Sequence, residues 1–589
     1  MLYRFFHTFN LSSLFYSYIG KMLDMKSFSR EIAVAVVCVA MTTALNTKTI
    51  AQSKTPVPKN WQLLSYDTDS VYGTATEKAY KQLLQGKKST PVIVAVIDSG
   101  IDTTHEDLKP VLWTNRKEIP NNGKDDDGNG YIDDIHGWNF LGGKDGNSLK
   151  EDSDEATREY YRYKQLYINP DSALSKDSKE YAYWQRLQAK VEKPSSQYKV
   201  SYKTMSKLQD NLNKCATILK NYLGKEDFNV AQLDSIQTTS QDVLLARNFV
   251  SRLLKSSGDD MPDSFNEFKS EFDEYISEIK RKAESTDVQP NANREKIVGD
   301  KFEDITDGKY GNNDVMGKFG FHGTHVSGII AAVRNNGVGM DGVADNVRIM
   351  AVKAVPDGDE RDKDVALAIR YAVDNGAQII NMSFGKGFSP HKAWVDDAVK
   401  YAEEKGVLLV HAAGNDGENN DSVPNYPNPN YLTGGKASNF ITVGAISNGR
   451  GKDKVASFSN YGKEGVDVFA PGVQIYSTIP GGNTYGAASG TSMASPVVAG
   501  VAALVLSYYP DLTAKQLKYV LEKSATPLPD GSVMVNKPGT DDTQVAFADL
   551  SVTGGLINSY EALKLAATIK GERVQPKKPK AKMKAVRKN

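Results

Sequence analysis

The chain has 589 residues, and its 72 basic and 72 acidic side chains cancel at neutral pH. With a length well beyond one ordinary domain, two domains or one large core with insertions is expected, and the balanced charge gives no global argument for nucleic acid. Cys38 and Cys215 are the only cysteines, so no disulfide framework supports the fold, and core packing or bound metal must stabilise an exported product.

From Met25 the chain passes through Lys26 and Arg30 into the apolar residues 32–41 and then into small residues ending at Ala51. That order of charged, apolar and small regions is a secretory signal, with cleavage expected after Ala51. Residues 1–24 fit none of it, so Met25 is the expected start. Residues 1–51 are therefore a targeting segment, and a secreted, periplasmic or cell-surface product without a transmembrane span is expected. The apolar run is shorter than the roughly 18 residues a span needs; a retained anchor is the alternative. Val37 stands before Cys38 where lipoprotein processing needs a small residue.

Residues 52–90 form a short N-terminal extension with a helical stretch over 76–84. Residues 91–97 are a continuous apolar, β-branched run that ends in Asp98-Ser99-Gly100. A strand apolar on both faces belongs inside a parallel sheet covered by helices, and an acid at its carboxyl end stands where such folds place chemistry. Similar runs recur at 348–353, 377–382, 407–410 and 440–444, with helical periods at 364–373 and 394–404. The fold class is therefore α/β, a mostly parallel sheet flanked by helices.

Two stretches depart from this alternation. Residues 145–309 are charged and carry helical apolar spacing at Met205, Leu208, Leu212, Cys215, Leu219 and Tyr222, then at Leu233, Ile236, Val243, Leu244, Phe249 and Leu253. They predict a helical subdomain, a hairpin or small bundle, inserted within a domain spanning 91–570. Residues 571–589 are basic and read as a solvated, disordered tail, with an anionic surface as the alternative partner.

Asp125-Asp126-Asp127-Gly128-Asn129-Gly130-Tyr131-Ile132-Asp133-Asp134 sets oxygen ligands at alternate positions around a glycine. That pattern suits calcium, a hard cation wanting many oxygens. Asp125, Asp127, Asn129, Tyr131, Asp133 and Asp134 are the candidate ligands; a solvated acidic turn is the alternative. The loop opens like an EF-hand but has His136 where the closing Glu would stand.

Gly490-Thr491-Ser492-Met493-Ala494-Ser495-Pro496 leads into an apolar run through Leu506. A serine between a glycine-rich approach and an apolar segment, with a proline in the first turn, reads as a nucleophile at a helix N-terminus, where unpaired N–H groups favour negative charge. Alone it would be an ordinary cap. Three upstream motifs change that: Val96-Ile97-Asp98-Ser99-Gly100, His322-Gly323-Thr324-His325-Val326 and Ala412-Ala413-Gly414-Asn415.

Together these four motifs resemble those of the subtilisin-like serine peptidases, the subtilases, whose residues follow the chain order Asp, His, Ser. The resemblance covers roughly 91–562 apart from the insertion. It implies a secreted serine endopeptidase of broad preference acting on protein or peptide substrates. Asp98, His322 and Ser492 would be the triad, and the Asn415 amide with the Ser492 N–H would hold the oxyanion. His322 is taken as base because the family motif places the base first, at the helix start; His325 would be packed structure. By the same resemblance Ser383, Phe384 and Gly385 form a peptide-binding edge, Ala412, Ala413 and Gly414 wall the primary specificity pocket, and Asp107 with Asn335 offers a second calcium site. Met493, beside the nucleophile, implies sensitivity to peroxide. Subtilases usually carry an inhibitory pro-domain, for which 52–90 is too short. The insertion is expected to cover part of the cleft or to guide folding. A binding protein on the same fold, its cleft blocked by the insertion, is the reading from another class.

Overall fold

The computed structural model describes residues 57–573 apart from 168–177, 257–263, 291, 318–319, 450–451, 532 and 541–542. The targeting segment and nearly all of the basic tail lie outside the described residues. The main sheet holds β1 (Val92–Asp98), β2 (Gly137–Asn139), β3 (Val347–Lys353), β4 (Ile379–Met382), β5 (Leu408–Ala412), β6 (Phe440–Ile446) and β7 (Val468–Pro471). Their spatial order is β2-β3-β1-β4-β5-β6-β7, and every neighbouring pair is parallel. The short strands β2 and β7, which no apolar run marked, close the two edges.

Alternation along a strand explains why the core strands are apolar throughout. Val94 and Val96 join one apolar cluster while Ala95 and Ile97 join another on the opposite face, since successive side chains leave a strand on opposite sides. Helices α7 (Phe321–Ala331) and α10 (Thr491–Tyr508) cover the first face, and α8 (Asp362–Asp374) and α9 (Lys392–Glu404) cover the second. Helix α10 has the length and hydropathy of a membrane span, yet Val497, Val501, Leu504 and Val505 are wholly buried against the sheet. Each such side chain contributes about 1.5–3 kcal/mol by leaving water.

Between β2 and α7 the chain forms α1 (Glu155–Tyr167), α2 (Lys179–Leu223), α3 (Val230–Asp234), α4 (Gln241–Ser256), α5 (Phe265–Glu284) and α6 (Ala292–Ile297). Leu212, Leu219, Leu233, Val250, Phe268 and Phe272 give these helices a core of their own. Tyr222, at the end of one predicted apolar face, is exposed and donates to the Gln237 carbonyl. Where the helices meet the sheet domain the contact is ionic and buried: Arg294, paired within the insertion to Asp300 at 2.9 Å, reaches Asp364 at 2.7 Å, and Lys386 reaches Glu155 at 2.6 Å. Phe388, packed with Tyr160, Trp184 and Leu187, adds a smaller apolar contact.

Candidate active site

Asp98 is the last residue of β1 and is 2% exposed. Its Oδ1 accepts from the Ser99 N–H and from His322 Nδ1, each at 2.7 Å. A carboxylate only accepts, so the imidazole proton on Nδ1 faces Asp98 and Nε2 is left as the basic nitrogen. His322 reaches this position because α7 packs directly on the turn after β1. A Cβ at Gly323 would lie 2.3 Å from the Gly100 carbonyl oxygen and 3.1 Å from Asp98 Cβ, so a side chain there would push the helix away. His325, one turn on, is fully buried, with Nε2 3.1 Å from the Gly486 carbonyl. Burial pushes its pKa down to about 3, which makes it neutral packing material.

Ser492 lies in the first turn of α10, after the N-cap Gly490. Pro496 stands at the sixth helical position, in the second turn, where a proline removes the bond to the carbonyl four residues earlier. That carbonyl belongs to Ser492, and the Ser383 hydroxyl donates to it at 2.8 Å. The exchange ties the Ser492 backbone to β4, because Asn381 Nδ2 donates to Ser383 Oγ at 2.9 Å and Ser495 Oγ donates to Asn381 Oδ1 at 2.9 Å. The Ser492 hydroxyl donates to the Ser383 carbonyl at 3.0 Å. Strands β1 and β4 pair with Ile97 opposite Met382, so Asp98 and Ser383 are the next residues along neighbouring strands. The Asp98–His322 pair and the Ser492 hydroxyl therefore meet the same end of the sheet from two adjacent inner strands.

Asn415 follows β5. Its Oδ1 accepts from the Thr491 N–H and hydroxyl, both at 2.9 Å, which orients the amide with Nδ2 as its remaining donor. Asn415 and Ser492 share a depression of about 390 Å³ with Phe384, Gly385, Ala412 and Gly414. Phe384 is held through its carbonyl, 2.7 Å from His411 Nε2, and burial pushes the His411 pKa down to about 4. Ala413 stands behind this wall instead of in it: it is fully buried, and its carbonyl accepts from Asn420 and Asn425. Met493, next to Ser492, is 2% exposed within the core. Two residues here were not singled out in the sequence. Lys353, opposite Asp98 in the β1–β3 register, is buried, donates to the Ser99 carbonyl and has its pKa pushed down to about 8 by burial. Its signal was a lysine at the carboxyl end of an apolar run. Glu278 on α5 lines the same depression, and nothing in its local sequence marked it.

The acidic loop is arranged differently from the expected ligand set. Asp125 and Asp127 come together with Glu118, their ligand atoms within 4.8 Å of one another. Asp133 accepts instead from the Asn122 and Gly123 N–H groups. Asp134 is fully buried and accepts from Asn115, Asn129 and Tyr371. Asn129 Oδ1 accepts from the Tyr131 N–H at 2.8 Å, and the Tyr131 ring packs against Trp138 and Tyr371. At the other expected site it is Asn336, not Asn335, that donates to Asp107, whose second oxygen accepts from the Tyr485 hydroxyl at 2.8 Å. Asn335 is exposed, and its N–H is held by Asp341.

A seven-stranded parallel sheet with an Asp–His pair at the end of an inner strand and a serine opening its core helix is the architecture of the subtilisin-like serine peptidases. The chain belongs to the Subtilase family, whose model matches residues 89–545. It is 48% identical over 187 residues to the Thermophilic serine proteinase of Bacillus sp. (strain AK1), covering 32% of this chain and 42% of that one. It is 43% identical over 211 residues to Subtilisin DY of Bacillus licheniformis, covering 36% and 72%, and 43% identical over 209 residues to Subtilisin E of Bacillus subtilis (strain 168), covering 35% and 50%. The chain thus spans about half the length of two of these relatives. A solved structure of proteases from Pseudoalteromonas arctica PAMC 21717 aligns at 29% identity with a TM-score of 0.33, over 42% of this chain and 70% of that one.

Proposed function

We propose that the protein is an exported serine endopeptidase that cleaves flexible protein or peptide substrates through an acyl-enzyme. The observation that carries this reading is the 2.7 Å bond from His322 to Asp98, set beside the strand whose Ser383 carbonyl receives the Ser492 hydroxyl. Substrate binding releases that hydroxyl from Ser383. Ser492 Oγ then bonds to the scissile carbonyl carbon while its proton passes to His322 Nε2, and Asp98 stabilises the imidazolium. The oxyanion is held by Asn415 Nδ2 and the Ser492 N–H at the positive end of α10. Collapse expels the amine, which takes the proton from His322. Water repeats the sequence to release the acid.

The Ser383–Gly385 segment supports an edge for an extended peptide, so backbone bonding dominates and preference is broad, with Phe384 adding apolar contact. The signal-like residues 25–51 support export. Calcium as a structural cofactor belongs to the same reading. Labelling with a fluorophosphonate tests the proposal: the wild-type chain is expected to label, and Ser492→Ala and His322→Ala are expected not to. Equal labelling of Ser492→Ala would end it.

A second feature favours control of the cleft by the helices. Glu278 lines the depression, and α5 is fixed at its first turn by Glu267, which accepts from the Ala487 N–H at 3.0 Å, and further along by Arg281 on Asp154 and Asp357. Helix α5 thus limits what enters beside Ser492.

A further inference from the structure

We propose that Glu278, which the inserted helices carry to the cleft, makes lysine or arginine the preferred residue on the acyl side of the cut bond. The inference deepens the peptidase reading and rests on it: it gives one side-chain position of the substrate a definite chemistry, where the rest is held through backbone bonds.

The depression beside Ser492 has a volume of about 390 Å³, at the lower end of the range that encloses a ligand. Phe384, Phe458 and Ala412 give it apolar walls, and Glu278 and Asp416 supply carboxylates. Among the described residues that line it there is no lysine, arginine or histidine. Its charge is therefore of one sign, in a chain whose total charge is zero. A lysine or arginine side chain matches this arrangement, since its methylene stem lies along apolar surface while its head meets a carboxylate in a charge-assisted hydrogen bond. An acidic side chain would instead add a third charge of the same sign. Phe384 and Gly385, which offer the peptide edge, line the depression together with Ser492 and Asn415, so the side chain that enters belongs to the residue whose carbonyl is attacked.

The two carboxylates are held differently. Asp416 is exposed, and its place is set through the backbone: its N–H donates to Asn460 Oδ1 at 3.0 Å, and the Gly417 N–H donates to the Phe458 carbonyl at 2.8 Å. Glu278, whose side chain is 28% exposed, accepts from Lys282 one turn along α5. Lys282 does not line the depression, and its Nζ also stands over the Tyr198 ring, 5.3 Å from the centroid. A pair four residues apart on a helix surface is weak, so a substrate cation can share Glu278 or displace Lys282, which keeps the ring. The bonds of Glu267 and Arg281 to the sheet domain hold α5, and with it Glu278, in place.

The test compares kcat/KM for peptides that differ only at the residue before the cut bond: lysine, arginine, glutamine or glutamate. In the wild-type chain lysine and arginine are expected to exceed glutamine at least about tenfold, with glutamate slowest. Glu278→Gln is expected to lower the lysine-to-glutamine ratio about tenfold, and Glu278→Lys to move the preference towards glutamate. Lys282→Gln removes the competing cation and is expected to raise the ratio. Asp416→Asn is expected to lower it by less, because that carboxylate is the more exposed and the better screened. A wild-type ratio near one, or a ratio unchanged by Glu278→Gln, would overturn the proposal and leave the peptidase reading standing. A wild-type chain that cuts none of the peptides and takes no fluorophosphonate label would end both.

Discussion

The sheet domain and the helices between β2 and α7 are held by different forces. In the sheet, Val94, Val96, Ile349, Val410 and Ile441 are buried among apolar neighbours from α7 and α10. Along the seam, Arg158, Arg294, Arg361 and Lys386 are buried against Glu155, Asp300, Asp364 and Asp152. Apolar burial is indifferent to pH and forgiving of small rearrangement. A buried ion pair is neither, since loss of one partner strands a charge out of water. The proposed catalytic residues sit wholly in the first region, and Glu278 of the second lines the depression beside Ser492.

Breaking the first region should change chemistry without loosening the structure. Ser492→Ala is expected to lower turnover at least about 10⁴-fold with an unchanged melting temperature; a comparable fall in melting temperature would mean that the serine serves packing. Arg294→Met should do the reverse. It leaves Asp364 and Asp300 buried with fewer partners, at a cost of about 3–5 kcal/mol, and limited proteolysis should cut first within α2–α5. Asn415→Ala is expected to reduce kcat about 100- to 1,000-fold with little change in KM, the magnitude known for this donor in subtilisin itself. A change confined to KM would assign Asn415 to substrate binding instead.

The seam should also respond to pH in both directions. Burial pushes the Glu360 pKa up to about 8, so its contribution favours the folded state at low pH and is lost as pH rises from about 4.5 towards 8. Burial alone would raise Glu155 as well, but Arg158 and Lys386 hold it below the usual carboxylate range. Its contribution is therefore present above about pH 4.5 and is lost as pH falls. Amide exchange in α1 and α5, corrected for intrinsic rate, should be slowest near pH 5 and faster at pH 8.5. Equal protection at the two values would show that Glu360 is ionised in the fold. The smallest effect is expected from Arg281→Ala, which frees α5 from Asp357: kcat/KM for protein substrates should rise less than tenfold while short peptides are unaffected.

Much of the site was legible because each part rests on a local signal. The run 91–97 announced β1 and put Asp98 at its end, and the glycine and small residues after His322 announced a helix that packs closely. Pro496 was legible as a residue but not in its role. Only the folded chain shows that it frees the Ser492 carbonyl for Ser383, more than a hundred positions away in sequence. The acidic loop teaches the same lesson: alternation pointed downstream to Asp133 and Asp134, while the buried carboxylate that meets Asp125 and Asp127 is Glu118, set there by how the chain doubles back.

The amino-acid order by itself determined the α/β class and the strands of the sheet's centre, and it singled out Asp98, His322, Asn415 and Ser492 as candidates, because periodic burial and motif spacing are properties of neighbouring residues. The tertiary structure alone decided that the Ser383 hydroxyl donates to the Ser492 carbonyl, that Lys353 lies opposite Asp98, that Glu278 lines the depression beside Ser492 and that the helices dock through buried charge. Each of those depends on which distant segments pair and at what register, and no local pattern of side chains encodes that.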